Sequence, residues 1–317
     1  MMKHHKFAGG REERLRTVKV SLLDAFARER YGGNVAGVIL DASNLTSREM
    51  QIIATELNAP TSGFVTSPRE RPATFDVRFF TPKKEIDLCG HVTIAISYQL
   101  ALEGRISSRD ASVVFQTKAG SIPIEVCFVE EKPSYAMMAL KTPNFYSVRE
   151  DNSFIADFLE IPSSNLSKEY PCEIAYTGLR HLLVPIRNVD VVRNMKPSFQ
   201  KLIELSSALK VETVSIFCLE ALHRDYDAHM RDFCAAIGDY EESASGTTCG
   251  ALASYLVRHG IVEPQRNLAK ITIEQGIEMN RFSTIIAEVW TNRSFIEKVR
   301  VGGPAVKVFS GEFILDP

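Results

Sequence analysis

Two tripeptides with a central glycine could do chemistry. They are Cys89-Gly90-His91 and Ser245-Gly246-Thr247. A glycine at a helix start lets the backbone approach a ligand closely, and the free N–H groups and helix dipole there favour an anion. Such donors also stabilise the enolate that forms when a proton leaves a carbon beside a carboxylate. The tripeptides therefore predict a site for a small carboxylate-bearing metabolite, with all six residues as candidates.

Three titratable side chains accompany the tripeptides and are the candidate catalytic residues. The imidazole of His91 titrates near neutral pH, Glu242 is the nearest carboxylate before the second tripeptide, and the Cys89 thiol stands where a helix N-terminus can lower its pKa. Structural interpretations stay open for each. His91 could bond the helix start, Glu242 could be a solvated loop acid, and Cys89 could be a buried structural thiol.

The segments that carry the tripeptides form a weak internal repeat, residues 78–104 and 231–260. Each begins with Arg-x-Phe at the end of a strand pattern, passes through an acidic loop and reaches its tripeptide. Each then continues as an apolar helix of small residues that ends at a glycine, Gly104 or Gly260. The repeat predicts two related lobes that direct two helix N-termini at one cleft. Two ordinary, unrelated strand–loop–helix units remain the alternative.

Strand patterns outnumber helix patterns, and helices occur singly between groups of strands. This order predicts an α/β (α+β) fold with mixed sheets, not a simple alternating doubly wound fold.

Composition narrows the classes of protein. The chain has 317 residues, 45% of them hydrophobic and 24% charged, which suggests two domains with ample core. A formal net charge of -2 makes nucleic acid a poor partner. No apolar run approaches the ~18–20 residues of a membrane helix. Six cysteines without a CxxC pair indicate reduced thiols and no metal site. We therefore expect a cytoplasmic protein with a polar, disordered leader at residues 1–16.

Several motifs in order along the chain resemble the PhzF-like (phenazine biosynthesis-like) isomerases of the diaminopimelate epimerase superfamily. They are Asp24-Ala25-Phe26, Gly33 to Val38, Phe80-Thr81-Pro82, Leu88 to Thr93, Gly178 to Pro185, Gln275-Gly276 and Val301-Gly302-Gly303. The resemblance implies two pseudo-symmetric lobes, each a curled mixed sheet around a central helix, with the active site between them. It also implies no metal or organic cofactor and a homodimer. We expect lobes at 17–137, joined by a C-terminal strand within 299–317, and at 138–298.

The chain departs from the family pattern at the site. The resemblance places Thr61 where the family carries its acid/base glutamate, and a threonine hydroxyl is not a base near neutral pH without an activating neighbour. Glu242 replaces a family aspartate and Thr247 a serine. Cys89 matches the first cysteine of the related racemases, whereas Ser245 stands at the second. We expect Thr61 and Ser62 to contact substrate, and Asn34 to orient the substrate carboxylate or its loop.

Three hypotheses follow. The first is a cofactor-independent isomerase or epimerase that moves a proton with His91, Glu242 and Cys89. The second is a racemase- or dehydratase-like enzyme that uses Cys89 alone on one face. The third is a non-catalytic ligand-binding protein, because the family glutamate is Thr61 here. Both glycine-centred sites and His91 favour the enzymes.

Overall fold

The structure, a computed structural model, describes residues 16–69, 72–293 and 295–315. The leader expected at residues 1–16 lies outside this part except for its last residue, which begins the first strand. The expected mixed α+β fold is confirmed by a large mixed sheet and, among the described residues, six α-helices.

Ten elements make up the first part of the chain. They are β1 (Arg16–Ala25), β2 (Asn34–Ile39), α1 (Ser47–Leu57), β3 (Thr61–Thr66), β4 (Phe75–Phe80), β5 (Glu85–Ile86), α2 (Gly90–Leu102), β6 (Ser112–Thr117), β7 (Gly120–Val129) and β8 (Lys132–Leu140).

The remaining elements follow the same plan with extra helices. They are β9 (Asn144–Ser147), α3 (Asn152–Phe158), β10 (Glu173–Tyr176), β11 (Arg180–Pro185), α4 (Val189–Asn194), α5 (Phe199–Leu209), β12 (Thr213–Cys218), β13 (Ala228–Phe233), β14 (Glu241–Glu242), α6 (Gly246–Arg258), β15 (Leu268–Gln275), β16 (Ser283–Asn292), β17 (Phe295–Gly303) and β18 (Ala305–Leu315).

The two lobes repeat one topology. In the first, β2 runs parallel to β3, β3 is antiparallel to β4, and β4 pairs antiparallel with β5 and parallel with β6. In the second, β11, β12, β13, β14 and β15 pair in the same order and sense. Matching positions can therefore be read from the strand registers, and they place α6 where the first lobe has α2.

After the last strand of each lobe, the chain adds one strand to the sheet of the other lobe. After β8 the chain enters β9, which pairs with β10, and after β17 it enters β18, which pairs with β1. Strands β8 and β17 pair with each other and join the lobes. The boundary expected between residues 137 and 138 falls within β8, and that boundary stays a prediction.

Helices α2 and α6 lie at the centre of the molecule because most of their side chains are apolar or small and neither helix has a polar face for water. Helix α2 is apolar and buried on nearly every side, from His91 to Ala101, and such helices occur in cores. Helix α6 is rich in small residues and equally buried. Side chains of both helices belong to one hydrophobic cluster, which is continuous across the two lobes.

A matched ion pair anchors the short strand before each central helix. Arg78 binds Glu85 through two hydrogen bonds of 2.8 and 3.0 Å, and Arg231 binds Glu241 through two of 2.9 and 2.8 Å. The second pair is the more buried: its side chains are 5% and 4% exposed, against 23% and 17% for the first. An arginine–glutamate pair thus holds both β5 and β14, and the pair at β14 is less accessible to water.

The two ion pairs give a matched stability prediction. Removing one partner of a buried pair leaves an uncompensated charge and costs about 3–5 kcal/mol, whereas exposed pairs contribute about 0–1 kcal/mol. We expect Glu241→Gln to lower the free energy of unfolding by several times the loss caused by Glu85→Gln. Urea unfolding of both variants measures this. Equal losses would show that burial of the second pair is unimportant.

Candidate functional site

The two central helices begin without a side-chain cap. Helices α1, α3, α4 and α5 are each capped by a side-chain oxygen. The residues before α2 and α6, Cys89 and Ser245, are extended and provide no side-chain cap hydrogen bond. The first N–H groups of a helix need partners from outside it. Among the described α-helices, these two starts are therefore the ones suited to an anion.

His91 occupies the first turn of α2 and is buried. Its Nδ1 lies 3.4 Å from the Sγ of Cys89. Burial lowers the pKa of His91, and the negative charge of Glu242 and a backbone hydrogen bond to Val35 oppose that shift. The imidazole is therefore neutral near neutral pH, and it responds to a carboxylate from the other lobe.

Glu242 ends β14, half-buried. Burial raises the pKa of Glu242 to about 8, and protonation of His91 would oppose this shift. A carboxyl with this pKa can release and recover a proton under ordinary conditions. His91 and Cys89 are thus in contact, and Glu242 of the other lobe is close enough to interact with the charge of His91.

Cys89, the third, is a thiol in this setting. Burial raises the pKa of Cys89, and the N–H groups of Val92 and His91 and the hydroxyl of Thr61 offset only part of the shift. Thr61 therefore lies at the start of α2, against the sulfur. Its side chain helps to fix the thiol but supplies no acid or base.

Hydrogen bonds clamp the loop before α6 in place. Gln275 accepts from the N–H of Ser245 at 3.1 Å and donates to the carbonyl of Glu242 at 2.8 Å. Asn34 donates to the carbonyl of Ala244 at 3.1 Å from the other lobe. Asn34 thus holds the loop, one of the two roles expected for it.

Glycine and small residues allow the close approach at these starts. A side chain at Gly246 would lie 3.3 Å from both Phe26 and Val301, whereas one at Gly90 would meet only Met138 at 3.7 Å. Thr247, next to Gly246, is half-buried, and so is Gly90, next to Cys89. Cys89, Gly90 and Thr247 are thus partly reachable from solvent, whereas His91, Ser245 and Gly246 are buried.

Ser62 lies on the other face of its strand. It pairs with Phe80, and Phe64 two residues on packs with α1 in a separate apolar cluster. Side chains two apart share a face of a strand, so Ser62 points towards α1 and away from Thr61. The structure does not bring Ser62 together with the other candidates.

Sequence reasoning missed a buried polar cluster beneath α6. Asp232 accepts from Ser215 at 2.6 Å and from Thr248 at 2.8 Å. His181 lies 3.1 Å from Thr248. The available signal was in the repeat itself, where Arg78-Phe79-Phe80 is matched by Arg231-Asp232-Phe233.

Two other surface features lie away from this region. A cavity of about 310 Å³ is lined by residues of the segments 148–152 and 167–172, and one of about 590 Å³ by residues of the segments 160–165 and 188–196. Within the described ranges no group of His, Cys, Asp and Glu side chains has a geometry that could hold a metal ion. No described helix is long and apolar enough to cross a membrane.

Comparisons with known proteins identify relatives of this chain. The sequence profile of the phenazine biosynthesis-like proteins matches residues 23–311. An uncharacterized isomerase of Clostridium acetobutylicum is 32% identical over 305 residues, which are 95% of this chain and all of that protein.

Solved structures show the same fold. The Bacillus anthracis phenazine biosynthesis protein of the PhzF family superposes with a TM-score of 0.86 at 28% identity, over 95% of this chain and all of that one. A hydroxyproline epimerase of Agrobacterium vitis superposes with a TM-score of 0.60 at 12% identity, over 96% and 93%, and shares the fold alone. The profile match across nearly the whole chain and the matching relatives show that this protein belongs to the phenazine biosynthesis-like (PhzF) family.

Proposed function

We propose that the protein is a cofactor-independent isomerase that moves a proton on a small carboxylate-bearing metabolite held between the two lobes. One observation carries this proposal: the matched helices α2 and α6 both begin without a side-chain cap, with His91 in the first turn of α2 and Glu242 on the short strand before α6. Relatives named as isomerases support the reaction class. The cytoplasmic location and homodimer expected from the sequence stay predictions.

The uncapped N–H groups of α2 and α6 bind the substrate carboxylate. Gly90 lets the substrate approach the backbone, whereas Phe26 and Val301 fill the space beside Gly246. Thr247, next to Gly246, offers a hydroxyl. When a proton leaves the carbon next to the carboxylate, negative charge moves onto its oxygens. Fixed donors in a site with little water stabilise that charge, and losing one such donor typically costs about 10²–10³ in rate.

Glu242 is the proton acceptor of the proposed reaction. As a carboxylate it takes the proton from the substrate carbon, and the electrons of the broken C–H bond enter the enolate. The proton then returns from the carboxyl to another carbon, which completes an isomerisation with no net proton change. His91 is the partner whose protonation would lower the pKa of Glu242.

The chemistry of Cys89 disfavours the racemase-like alternative. A nucleophilic or basic thiol must ionise, and burial raises the pKa of Cys89. Thr61 supplies no replacement for the family glutamate, so the acid/base work in this chain falls to Glu242.

Glu242 and His91 can be tested by hydrogen exchange. We expect the protein to exchange carbon-bound hydrogen of a small amino or hydroxy acid with deuterated water, followed by mass spectrometry over a panel of such acids. Glu242→Gln should slow exchange about 10²–10⁴-fold, the usual contribution of a general base. His91→Gln should move the pH at which exchange rises.

Asp87→Asn is the matched control, because Asp87 is an exposed acid two residues before Cys89. In the unmodified protein the rate should rise with pH towards about 8, as Glu242 loses its proton. Normal exchange in Glu242→Gln would contradict the assignment. Ligand binding without exchange on any acid would favour a non-catalytic protein.

Glu242 also predicts how stability depends on pH. Its pKa is about 8 in the folded protein against an ordinary value of 4.5, so between these values the folded state binds more protons than the unfolded state. The contribution of this carboxyl to the free energy of unfolding is therefore largest at low pH, and it is lost as the pH rises towards about 8. Urea unfolding across this range should show the unmodified protein weakening relative to Glu242→Gln. Parallel pH dependences would show that the carboxyl is not perturbed.

Replacing Cys89 separates the two enzyme hypotheses. Serine keeps the size and hydrogen bonding of the thiol but not its acidity. We expect Cys89→Ser to change the exchange rate by less than about tenfold, because a true general base contributes about 10²–10⁴. Loss of exchange in Cys89→Ser, with normal exchange in Glu242→Gln, would establish the thiol as the base instead.

A further inference from the structure

We propose that Asp232 is a second proton-exchanging group of the site and acts on the cleft through the hydroxyls of Thr248 and Ser245. The inference rests on the proposed function, because it concerns the same reaction. Asp232 is a positioning and relay residue here, whereas Ser245 is the group that meets the substrate.

The distances form a continuous chain of hydroxyls. The carboxylate Oδ2 of Asp232 lies 2.8 Å from Thr248 Oγ1, which lies 2.8 Å from Ser245 Oγ. Ser245 immediately precedes α6, in the position that Cys89 holds before α2. The chain therefore leads from a fully buried carboxyl to the uncapped helix start where the substrate carboxylate is proposed to bind.

The first lobe shows that the fold does not need this chain. Strand registers match Asp232 with Phe79 and Ser215 with Gly63, since Phe79 pairs with Gly63 and Asp232 with Ser215. Counting from the tripeptides, Thr248 matches Val92. A side chain at Gly63 would lie against Val92. The first lobe thus builds an apolar contact at the place where the second lobe has a carboxyl and two hydroxyls.

Burying these polar groups costs stability that the apolar version avoids. A buried carboxyl must be neutral or fully hydrogen-bonded. Burial raises the pKa of Asp232, and the hydroxyls of Ser215, Thr248, Thr213 and Ser245 oppose the shift. A carboxyl in such a place is suited to hold a proton and release it along the hydroxyls.

Other titratable groups surround the carboxyl from each neighbouring element. The charge of Asp232 raises the pKa values of Glu242 on β14, of Cys234 directly after β13 and of Cys249 on α6. His181 on β11 lies 3.1 Å from Thr248, and burial lowers the pKa of His181 to about 4. The imidazole is therefore neutral, and no cation neutralises Asp232 among these groups.

His181 provides a route by which the relay is reset. Its Nε2 lies 2.9 Å from the hydroxyl of Thr177. Thr177 stands between the exposed residues Tyr176 and Gly178. Protons can thus pass between Thr248 and the edge of the lobe without crossing the substrate.

The relay balances as a transfer of one proton. When Asp232 is protonated, its hydrogen bond with Thr248 reverses, and Thr248 turns its hydroxyl towards Ser245. The carboxyl proton of Asp232 then moves to Thr248, the hydroxyl proton of Thr248 moves to Ser245, and that of Ser245 moves to the substrate carbon. A C–H bond forms from the electron pair of the enolate, and Asp232 is left as a carboxylate. In this version of the reaction Glu242 keeps the proton that it removed, and the next turnover follows once Glu242 has lost that proton and Asp232 has regained one.

Two substitutions at one position test the relay. Thr248→Val removes the hydroxyl at constant size, whereas Thr248→Ser keeps it. We expect Thr248→Val and Asp232→Asn to slow deuterium delivery to carbon about 10²-fold and to remove one limb of the pH–rate profile. Thr248→Ser should stay within about threefold. The probes are the same small amino and hydroxy acids in deuterated water.

Each outcome decides something different. If Asp232→Asn and Thr248→Val leave exchange unchanged, the relay is wrong and the proposed function is unaffected. The relay is also wrong if Thr248→Ser loses as much exchange as Thr248→Val, because the loss would then come from altered packing around residue 248. No exchange in the unmodified protein contradicts the proposed function. An infrared titration of the carboxyl band in a Glu242→Gln background then judges the relay. A band that Asp232→Asn removes and Ser245→Ala shifts supports it, and a missing or unshifted band overturns it.

Discussion

Helix α2 is apolar on nearly every side, and in water such a helix is stable only when other elements cover it. The sheet of the first lobe curls around it, and the second lobe encloses α6 in the same way. Neither helix has a side-chain cap, so the N–H groups of its first turn need partners from outside the helix. The same burial that stabilises the lobes therefore leaves two helix starts for the proposed anion site.

The lobes share a backbone plan but differ in electrostatics. Matched ion pairs hold β5 and β14 at the same place, so the residues that follow reach equivalent positions. In the first lobe the cross-strand neighbours there are Phe79 and Ile86, and in the second they are Asp232 and Glu242. One lobe thus supplies a hydrophobic wall and the other supplies carboxyls. Desolvation raises the pKa values of those carboxyls. Two acids with raised pKa values therefore lie in the second lobe.

Much of this arrangement follows from the sequence. The glycine-centred tripeptides, the repeat and the helices that follow the tripeptides were readable because helix starts and apolar periodicity are local signals. Asp232 was not, because a charged residue inside a strand pattern gives no sign of its cross-strand partner. The second acidic loop is longer by the three-residue turn Ala235–Ile237. Without the registers, that insertion hides which residues of the two lobes correspond.

The exchange of strands between the lobes has a consequence for how the chain is made. Strand β1 pairs along its whole length with β18, and Arg16 lies opposite Leu315. During synthesis on the ribosome the first lobe emerges with one edge of β1 open, and it stays open until β18 has been translated. An open edge is a template for pairing with another molecule, and contacts between such distant segments form slowly. A second nascent copy on the same messenger can offer its own β18, so this ladder is the place where domain-swapped chains would arise.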